Sequence, residues 1–242
     1  MKALLLAAGI GSRLRPITNT IPKCLVEING KPLLEYWLEL LINNGINEIL
    51  INTHYKSEKV VDFINNNKYK EYITIVYEEE LLGTGGTLLK NKSFFSKDQI
   101  LLVHADNLSL FSLKEYIYSH QNRPKDTSIT MMLFETDDPI SCGIVELDKQ
   151  GVVIGFYEKV ENPPGNLANG AVYILENSII SFLESLNKIT IDFSTEVIPS
   201  FLKKLYSYKN SIYHRDIGNI ESLEKAKSEF PAIYKKFYDR IS

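Results

Sequence analysis

Short apolar runs alternate with amphipathic segments along the first half of the chain. Four runs are short and largely apolar, as buried strands are: 3–8, 48–55, 73–79 and 99–107. Three segments between them favour helices, the second with Ser57 as its expected N-cap and the third entered through a glycine-rich turn: 32–45, 57–67 and 82–91. Strands and helices that alternate in this way predict a parallel, doubly wound α/β sheet.

The second half of the chain has a different pattern. Turn signals separate four apolar runs without helices between them: 128–136, 143–148, 152–159 and 170–175. Such strands suggest antiparallel additions that cover one end of the parallel sheet. Helices are then expected at 178–186, 194–205 and 220–230, with a late strand at 212–216. No repeat or linker divides the 242 residues, so we expect a single domain over 1–242.

Composition and charge narrow the class of protein. A formal net charge of −3 gives no overall attraction for nucleic acid or an anionic membrane, so neither is an expected partner. The two cysteines, Cys24 and Cys142, are too few for a disulfide framework and indicate a reducing compartment. The opening apolar run is short for a signal peptide, and no run reaches the roughly 18 residues of a membrane span. We therefore expect a cytoplasmic protein.

The loop after the first strand carries the first candidate chemistry. Gly9 and Gly11 allow close approach of a ligand to the backbone, whose N–H groups can bind phosphate oxygens. The spacing is neither a dinucleotide fingerprint nor a P-loop. Arg13 and Lys23 follow in the same loop and could neutralise a triphosphate. A tight turn carrying two solvated cations is the alternative interpretation.

Two aspartates are candidate metal ligands. Asp106 ends a predicted buried strand, and Asp216 ends another, at the edge where α/β sheets bind ligands. Together they could hold one Mg²⁺, with phosphate oxygens completing its coordination. Either aspartate alone would more often be a helix cap or a turn former. His104 and His214 each precede one aspartate by two residues, and a packed core histidine is the simpler interpretation of both.

Two further groups could bind organic parts of a ligand. Gly83, Gly85 and Gly86 would form a flat backbone surface for a nucleobase, unless they only make a flexible loop before a helix. Polar or small residues at the strand ends of the second half could bind the hydroxyls and phosphate of a sugar-like ligand: Gly143, Glu158, Lys159, Asn169 and Gly170. Taken singly, each of these would be turn chemistry or a surface charge.

Together these residues resemble one known family, the sugar-1-phosphate nucleotidyltransferases. The family's opening signature is G-x-G-[ST]-R-L-x-P with P-K further on, and the chain matches it from Gly9 to Pro16 and at Pro22–Lys23. The resemblance covers nearly the whole chain. It implies the nucleotide-diphospho-sugar transferase fold, a Rossmann-like doubly wound mixed sheet with an appended antiparallel sugar-binding lid. Residues 1–135 would mainly bind nucleotide, and 136–242 would mainly bind sugar phosphate and supply the C-terminal helices.

The resemblance also implies roles for individual residues. Arg13 and Lys23 would be catalytic, and Asp106 and Asp216 would hold Mg²⁺. Ten residues would bind the nucleotide: Leu6, Ala8, Gly9, Gly11, Ser12, Glu78, Gly83, Thr84, Gly85 and Asp106. Gly143, Glu158, Lys159, Asn169 and Gly170 would bind the sugar phosphate, with Lys159 anchoring the phosphate that attacks.

The implied reaction transfers a nucleoside monophosphate from an NTP to a sugar 1-phosphate, releasing pyrophosphate, in a pathway to cell-surface polysaccharide. The LGTGGTL segment resembles that of short bacterial mannose- and manno-heptose-1-phosphate guanylyltransferases, which favours GTP. Uridylyl or thymidylyl transfer to a hexose or amino-sugar 1-phosphate is the alternative, and an NDP-sugar-using glycosyltransferase is a more distant one. A homo-oligomer is possible on this resemblance.

Overall fold

The strands of the protein are short and mostly lie where the apolar runs predict them. A computed structural model describes residues 1–239. Within this range the strands are β1 (Lys2–Leu6), β2 (Glu27–Ile28), β3 (Lys31–Pro32), β4 (Ile49–Thr53), β5 (Ile73–Tyr77), β6 (Ile100–His104), β7 (Asn107–Leu110), β8 (Ile129–Glu135), β9 (Gly143–Leu147), β10 (Val153–Glu158), β11 (Leu167–Leu175), β12 (Leu205–Lys209) and β13 (Tyr213–Asp216).

The helices connect these strands and close the chain. Within the described range the α-helices are α1 (Leu33–Asn43), α2 (Ser57–Asn65), α3 (Gly83–Lys90), α4 (Lys92–Phe95), α5 (Leu113–Gln121), α6 (Ile179–Ser185), α7 (Ile198–Ser200) and α8 (Ile220–Tyr238). Among residues 1–239 there is no helix with the length and apolar character needed to cross a membrane.

One mixed sheet carries strands from both halves of the chain. Its order is β10-β9-β11-β6-β1-β4-β5, and β8 pairs with both β11 and β12. Strands β6, β1, β4 and β5 are parallel to one another, whereas β11 runs antiparallel to β6. The antiparallel strands therefore extend the same sheet. A mixed α/β fold around a mostly parallel centre is confirmed.

The central strands are continuously apolar because helices cover both faces of the sheet. In β1, Ala3 and Leu5 lie in one buried cluster together with Trp37 of α1. Leu4, between them, lies in a second cluster together with Leu88 of α3. All five side chains are at most 2% exposed. These three residues of β1 thus pack against one or the other of two helical layers, and the run is too buried to show a two-residue alternation.

A third buried cluster joins α8 to the loop after β1. Leu14 of that loop and Ile217, next to Asp216, are both fully buried in it. Tyr36 of α1 and Phe230 of α8 close the cluster, with their rings edge to face and 5.2 Å between centroids. This packing anchors the neighbours of Arg13 and Asp216 in one core, so it fixes where both charged residues can lie.

Two predicted helix details are wrong. Ser57 is not the N-cap of α2, because Lys56 takes that position with φ 51° and the Ser57 hydroxyl lies 2.8 Å from Oγ1 of Thr53. The helix expected over 194–205 is a π-helical turn at Phe193–Val197, then the short α7, then β12. Pro199 lacks the N–H that a regular helix would need there.

Six elements escaped the sequence analysis: β2, β3, β7, α4, α5 and β12. β7 has only four residues, and α5 carries few apolar residues, so neither gives a strong periodic signal. The strand β12 begins where the pattern favoured a continuing helix.

His120 of α5 makes the folding stability dependent on pH. Its Nδ1 lies 2.7 Å from Oγ1 of Thr130, and its Nε2 lies 3.2 Å from a carboxylate oxygen of Glu176. Burial, reinforced by the Arg123 guanidinium, lowers the pKa of His120 to about 4. The folded protein therefore keeps this imidazole neutral at a pH where the unfolded chain protonates it.

We predict that the free energy of unfolding falls as the pH drops from about 6.5 towards 4, because the unfolded state then binds more protons. The fall should be smaller in His120→Gln, which has no proton to bind there. Urea unfolding at pH 7.5 and at pH 4.5, for both proteins, measures the difference. An equal loss in both would show that His120 does not carry this dependence.

Candidate functional site

The loop from Gly9 to Lys23 folds back on itself. Gly11 has φ 63°, and a Cβ there would lie 3.0 Å from Cγ2 of Thr18 and 3.2 Å from Cβ of Lys23. The hydroxyl of Thr18 donates to the Gly11 carbonyl at 2.8 Å. Gly11 therefore allows the two ends of the loop to meet. Gly9 lies near Asp106, whose Oδ2 would be 3.8 Å from a Cβ at position 9.

A two-stranded antiparallel pairing brings the two predicted metal ligands together. Strand β13 pairs with β7, and Asp216 lies opposite Asn107, directly after Asp106. Asn219 then caps α8 by accepting from the backbone N–H of Ser222 at 2.8 Å. The cap starts α8 immediately after the strand, so Asp216 is held at the junction between the two elements.

Lys23 lies between the two aspartates. Its Nζ is 2.9 Å from Oδ2 of Asp106 and 3.0 Å from Oδ1 of Asp216. Burial alone lowers the pKa of Lys23, but the two carboxylates together raise it above its usual value. Burial likewise opposes ionisation of Asp106, yet the Lys23 ammonium leaves the pKa of Asp106 below its usual value. Lys23 is therefore a cation and Asp106 an anion.

The Arg13 side chain also lies near Asp216. Its guanidinium nitrogen would lie 3.3 Å from a Cβ at position 218, and that Cβ would lie 2.8 Å from Oδ2 of Asp216. A larger residue at 218 would therefore displace the ends of these two charged side chains. Arg13, Asp216 and Gly218 line a cavity of about 440 Å³ together with His214 and Cys142. The structure thus brings Arg13, Lys23, Asp106 and Asp216 together.

The donor set fits a metal ion that arrives with a polyphosphate. Residues 1–239 contain no group of three or more His, Cys, Asp or Glu side chains placed to hold an ion unaided. Mg²⁺ is commonly bound by one or two carboxylates plus substrate phosphates and water, and Asp106 and Asp216 supply two carboxylates. Their role as metal ligands stays a prediction.

The glycines of the LGTGGTL segment pack closely against another segment of the backbone. They begin α3 and face the segment 189–192, where a Cβ on Gly83 or Gly86 would lie 2.5 or 2.4 Å from a carbonyl oxygen. Gly85 is buried, and its N–H donates to the carbonyl of Ile191 at 3.0 Å. These glycines therefore allow two backbone segments to pack closely. Their contact with a nucleobase stays a prediction.

Glu78 is buried and hydrogen-bonded to neighbouring side chains. Its carboxylate is 1% exposed and accepts from Nδ2 of Asn52 at 3.1 Å and from the Thr87 hydroxyl. Asn52 in turn accepts from the N–H of Ala7 at 2.9 Å. Through these hydrogen bonds, the buried Glu78 side chain connects the loop after β1 to α3. Nucleotide binding by Glu78 stays a prediction.

The other predicted nucleotide-binding residues flank the first loop. Leu6 is half-buried at the end of β1, Ala8 is buried, and Ser12 is exposed at the start of a short 3₁₀ turn. Thr84 is half-buried, with its hydroxyl 3.3 Å from Nε2 of His104. Burial lowers the pKa of His104, so its imidazole is neutral beside Asp106. Nucleotide binding by Leu6, Ala8, Ser12 and Thr84 stays a prediction.

The predicted sugar-phosphate residues lie on neighbouring strands. Gly143 is opposite Glu158, and a Cβ at 143 would lie 2.6 Å from Oε2 of Glu158. Lys159 follows with φ 51° and pairs its Nζ with Oε1 of Glu158 at 3.0 Å. The side chain of Lys159 is 62% exposed, so it can leave this ion pair at little cost.

Asn169 and Gly170 lie where β11 departs from regular pairing with β8. The Asn169 side chain donates to the Tyr173 hydroxyl at 2.6 Å and accepts from the N–H of Ala171, which has φ 52°. Both hydrogen bonds of the Asn169 side chain therefore stabilise this irregular part of β11. Gly170 lies close to His214, whose Cε1 would be 3.4 Å from a Cβ there. A sugar contact by Asn169 or Gly170 stays a prediction.

Sequence reasoning missed several residues that build the site. Gly218 stands in the D-I-G-N stretch beside a predicted metal ligand, and this position was its only signal. Asn52 and Thr18 gave none, because their partners are known only after folding. Cys24 is buried, and burial raises the pKa of its thiol to about 12. Cys142 is only partly buried and lines the cavity.

Comparison with known proteins decides the family. The sequence profile of the Nucleotidyl transferase family matches residues 2–232. The chain belongs to this family. A D-glycero-alpha-D-manno-heptose 1-phosphate guanylyltransferase from Aneurinibacillus thermoaerophilus is 31% identical, with 95% of this chain and 98% of that protein covered.

Two further proteins place the chain more broadly. A mannose-1-phosphate guanylyltransferase from Mycobacterium tuberculosis is 29% identical over 94% of this chain, which spans only 64% of that relative. A Bacillus anthracis crystal structure, provisionally named a glucose-1-phosphate thymidylyltransferase, has a TM-score of 0.85 and covers 94% of each chain. At 23% identity it shows the shared nucleotidyltransferase fold alone.

We predict that Gly86→Ala lowers the free energy of unfolding by about 1–3 kcal/mol, because the new methyl group overlaps the Ile189 carbonyl. The gain in helix propensity offsets only part of this cost. Gly165→Ala is the matched control, since a Cβ at 165 meets nothing within 4 Å. Urea unfolding measures both variants. Equal stabilities would mean that the segment 189–192 moves away freely.

Proposed function

We propose that the protein transfers a nucleoside monophosphate from an NTP, with GTP favoured, to a sugar 1-phosphate, giving an NDP-sugar and pyrophosphate. The observation that carries the proposal is the position of Lys23 within 3.0 Å of both Asp106 and Asp216, beside the glycines of the first loop. Membership of the Nucleotidyl transferase family supports the same reaction class.

Catalysis in this site would consist of positioning and charge neutralisation. The sugar phosphate oxygen attacks the α-phosphorus in line, and pyrophosphate leaves without a covalent enzyme intermediate. The backbone N–H groups around Gly9 and Gly11 bind phosphate oxygens. Arg13 stabilises the charge that develops on the leaving pyrophosphate, and Lys23 donates to the phosphate oxygens. Lys159 holds the attacking phosphate against the repulsion between two anions.

A divalent ion, which the family generally uses, would be held by Asp106 and Asp216 in this proposal. When bound, it would neutralise charge on the triphosphate and align its phosphates. Lys23 and Arg13 supply the remaining positive charge from the protein itself. The cluster is thus suited to a substrate with several negative charges, as a nucleoside triphosphate has.

Relatives named for guanylyl transfer support GTP and a mannose- or heptose-type sugar. Uridylyl or thymidylyl transfer to a hexose or amino-sugar 1-phosphate is the alternative within the same reaction class. A role in the cytoplasm, supplying an activated sugar for cell-surface polysaccharide, belongs to the proposal. The homo-oligomeric state stays a prediction.

We predict that pyrophosphate release requires an NTP, a sugar 1-phosphate and Mg²⁺ together. A matrix of GTP, UTP, dTTP, ATP and CTP against mannose, heptose, glucose and N-acetylhexosamine 1-phosphates measures it. The proposal expects the highest rate with GTP and mannose or heptose 1-phosphate. Release from another pair would correct the substrate, and no release from any pair would contradict the function.

We predict that Arg13→Ala, Lys23→Ala or Asp216→Ala each lowers kcat/KM by roughly 10²–10³, because each removes a preorganised charge. Lys92→Ala is the matched control, since Lys92 forms an exposed ion pair with Glu184 outside the site and should change the rate little. Steady-state kinetics on folded variants give the values. A wild-type rate in Asp216→Ala would remove the proposed mechanism.

A further inference from the structure

Lys23 uses the carboxylate oxygens that a divalent ion would need. Its ammonium lies 2.9 Å from one oxygen of Asp106 and 3.0 Å from one of Asp216, and its side chain is only 9% exposed. No other described cation lies within 4 Å of both carboxylates. Lys23 is therefore the internal counter-ion of this pair.

The backbone of Lys23 is fixed, whereas its ammonium can move. Lys23 begins a short 3₁₀ turn that includes the buried Cys24, and its Cβ lies close to Gly11. The flexible side chain beyond Cβ allows Nζ to shift without a change of fold. Moving the Lys23 ammonium to a new partner therefore costs less than moving any part of the backbone around it.

An ammonium and a divalent cation exclude one another at the same oxygens. Both need the lone pairs of Asp106 and Asp216, and two cations this close repel. A triphosphate offers the ammonium a new set of anionic oxygens, for which lysine is a common partner. Arg13 lines the cavity beside Asp216 and would hold the same phosphates from the other side.

We infer that Lys23 competes with the divalent ion for Asp106 and Asp216, so that the ion binds tightly only when a polyphosphate draws the lysine away. This inference rests on the proposed function, which supplies both the ion and the polyphosphate. It makes Lys23 a gate that couples metal loading to nucleotide binding, in addition to its contact with phosphate. An enzyme built in this way would not hold the ion firmly without its nucleotide.

Mn²⁺ binding in the absence of nucleotide tests the competition. Free Mn²⁺ is followed by electron paramagnetic resonance during titration of the wild type, Lys23→Gln, Lys23→Met and Lys23→Arg. Both uncharged variants should bind Mn²⁺ roughly tenfold more tightly or better, and Lys23→Arg should stay near the wild type. Two neutral variants are used so that the test remains valid if one of them does not fold. Thermal unfolding shows whether each variant is folded.

Two controls separate competition from general electrostatics. Arg13→Gln removes a cation from the cavity beside Asp216 and should tighten Mn²⁺ binding far less than Lys23→Gln does. Lys23→Gln combined with Asp106→Asn should lose the gained affinity, which places the ion at these carboxylates. The inference is overturned if Lys23→Gln binds as the wild type does, if Arg13→Gln gains equally, or if the double variant keeps the gain.

Pyrophosphate release by the wild type keeps the two claims apart. If the wild type turns over NTP and sugar 1-phosphate but Lys23→Gln gains no Mn²⁺ affinity, only the competition fails. If no substrate pair is turned over, the proposed function fails, and the Mn²⁺ titration still reports whether Lys23 blocks the carboxylates.

Discussion

The contact of one buried ammonium with two carboxylates organises this end of the protein. Lys23 joins the first loop to the ends of two strands that are distant in the chain. Its side chain is 9% exposed, against 26% for Asp106 and 48% for Asp216, so the ammonium is the most buried of the three charges. Removing one partner would leave an uncompensated charge, which costs more than the pair contributes. The cluster is therefore better explained as part of a site that binds further charged groups than as a contribution to folding stability.

The rest of the fold supplies the constraints that hold this contact. Leu14 and Ile217 place the loop and the strand end in one core, and the pairing of β7 with β13 sets the two aspartates side by side. Gly11 and Gly218 remove the side chains that would keep these segments apart. The network from Ala7 through Asn52 to Glu78 links the loop to α3. Small residues and buried amides thus determine where the charges lie.

Features of the site could be predicted from the sequence when the residues that form them lie close together along the chain. The first loop was predictable because Gly9, Arg13 and Lys23 are local and follow a buried strand. The convergence of Asp106 with Asp216 depends on a four-residue strand, too short for a periodic pattern, so the residues alone could only suggest it. The packing partners of the α3 glycines and of Glu78 could not be predicted for a related reason. Their partners, the segment 189–192 and Asn52, become neighbours only through folding.

The most direct test of the central claim is a crystal structure of the protein with Mg²⁺ and a non-hydrolysable GTP analogue. The account predicts that the triphosphate lies along the first loop, with Lys23 and Arg13 on its oxygens and the ion on Asp106 and Asp216. A triphosphate bound elsewhere, with Lys23 still bridging the two aspartates and no ion between them, would contradict it.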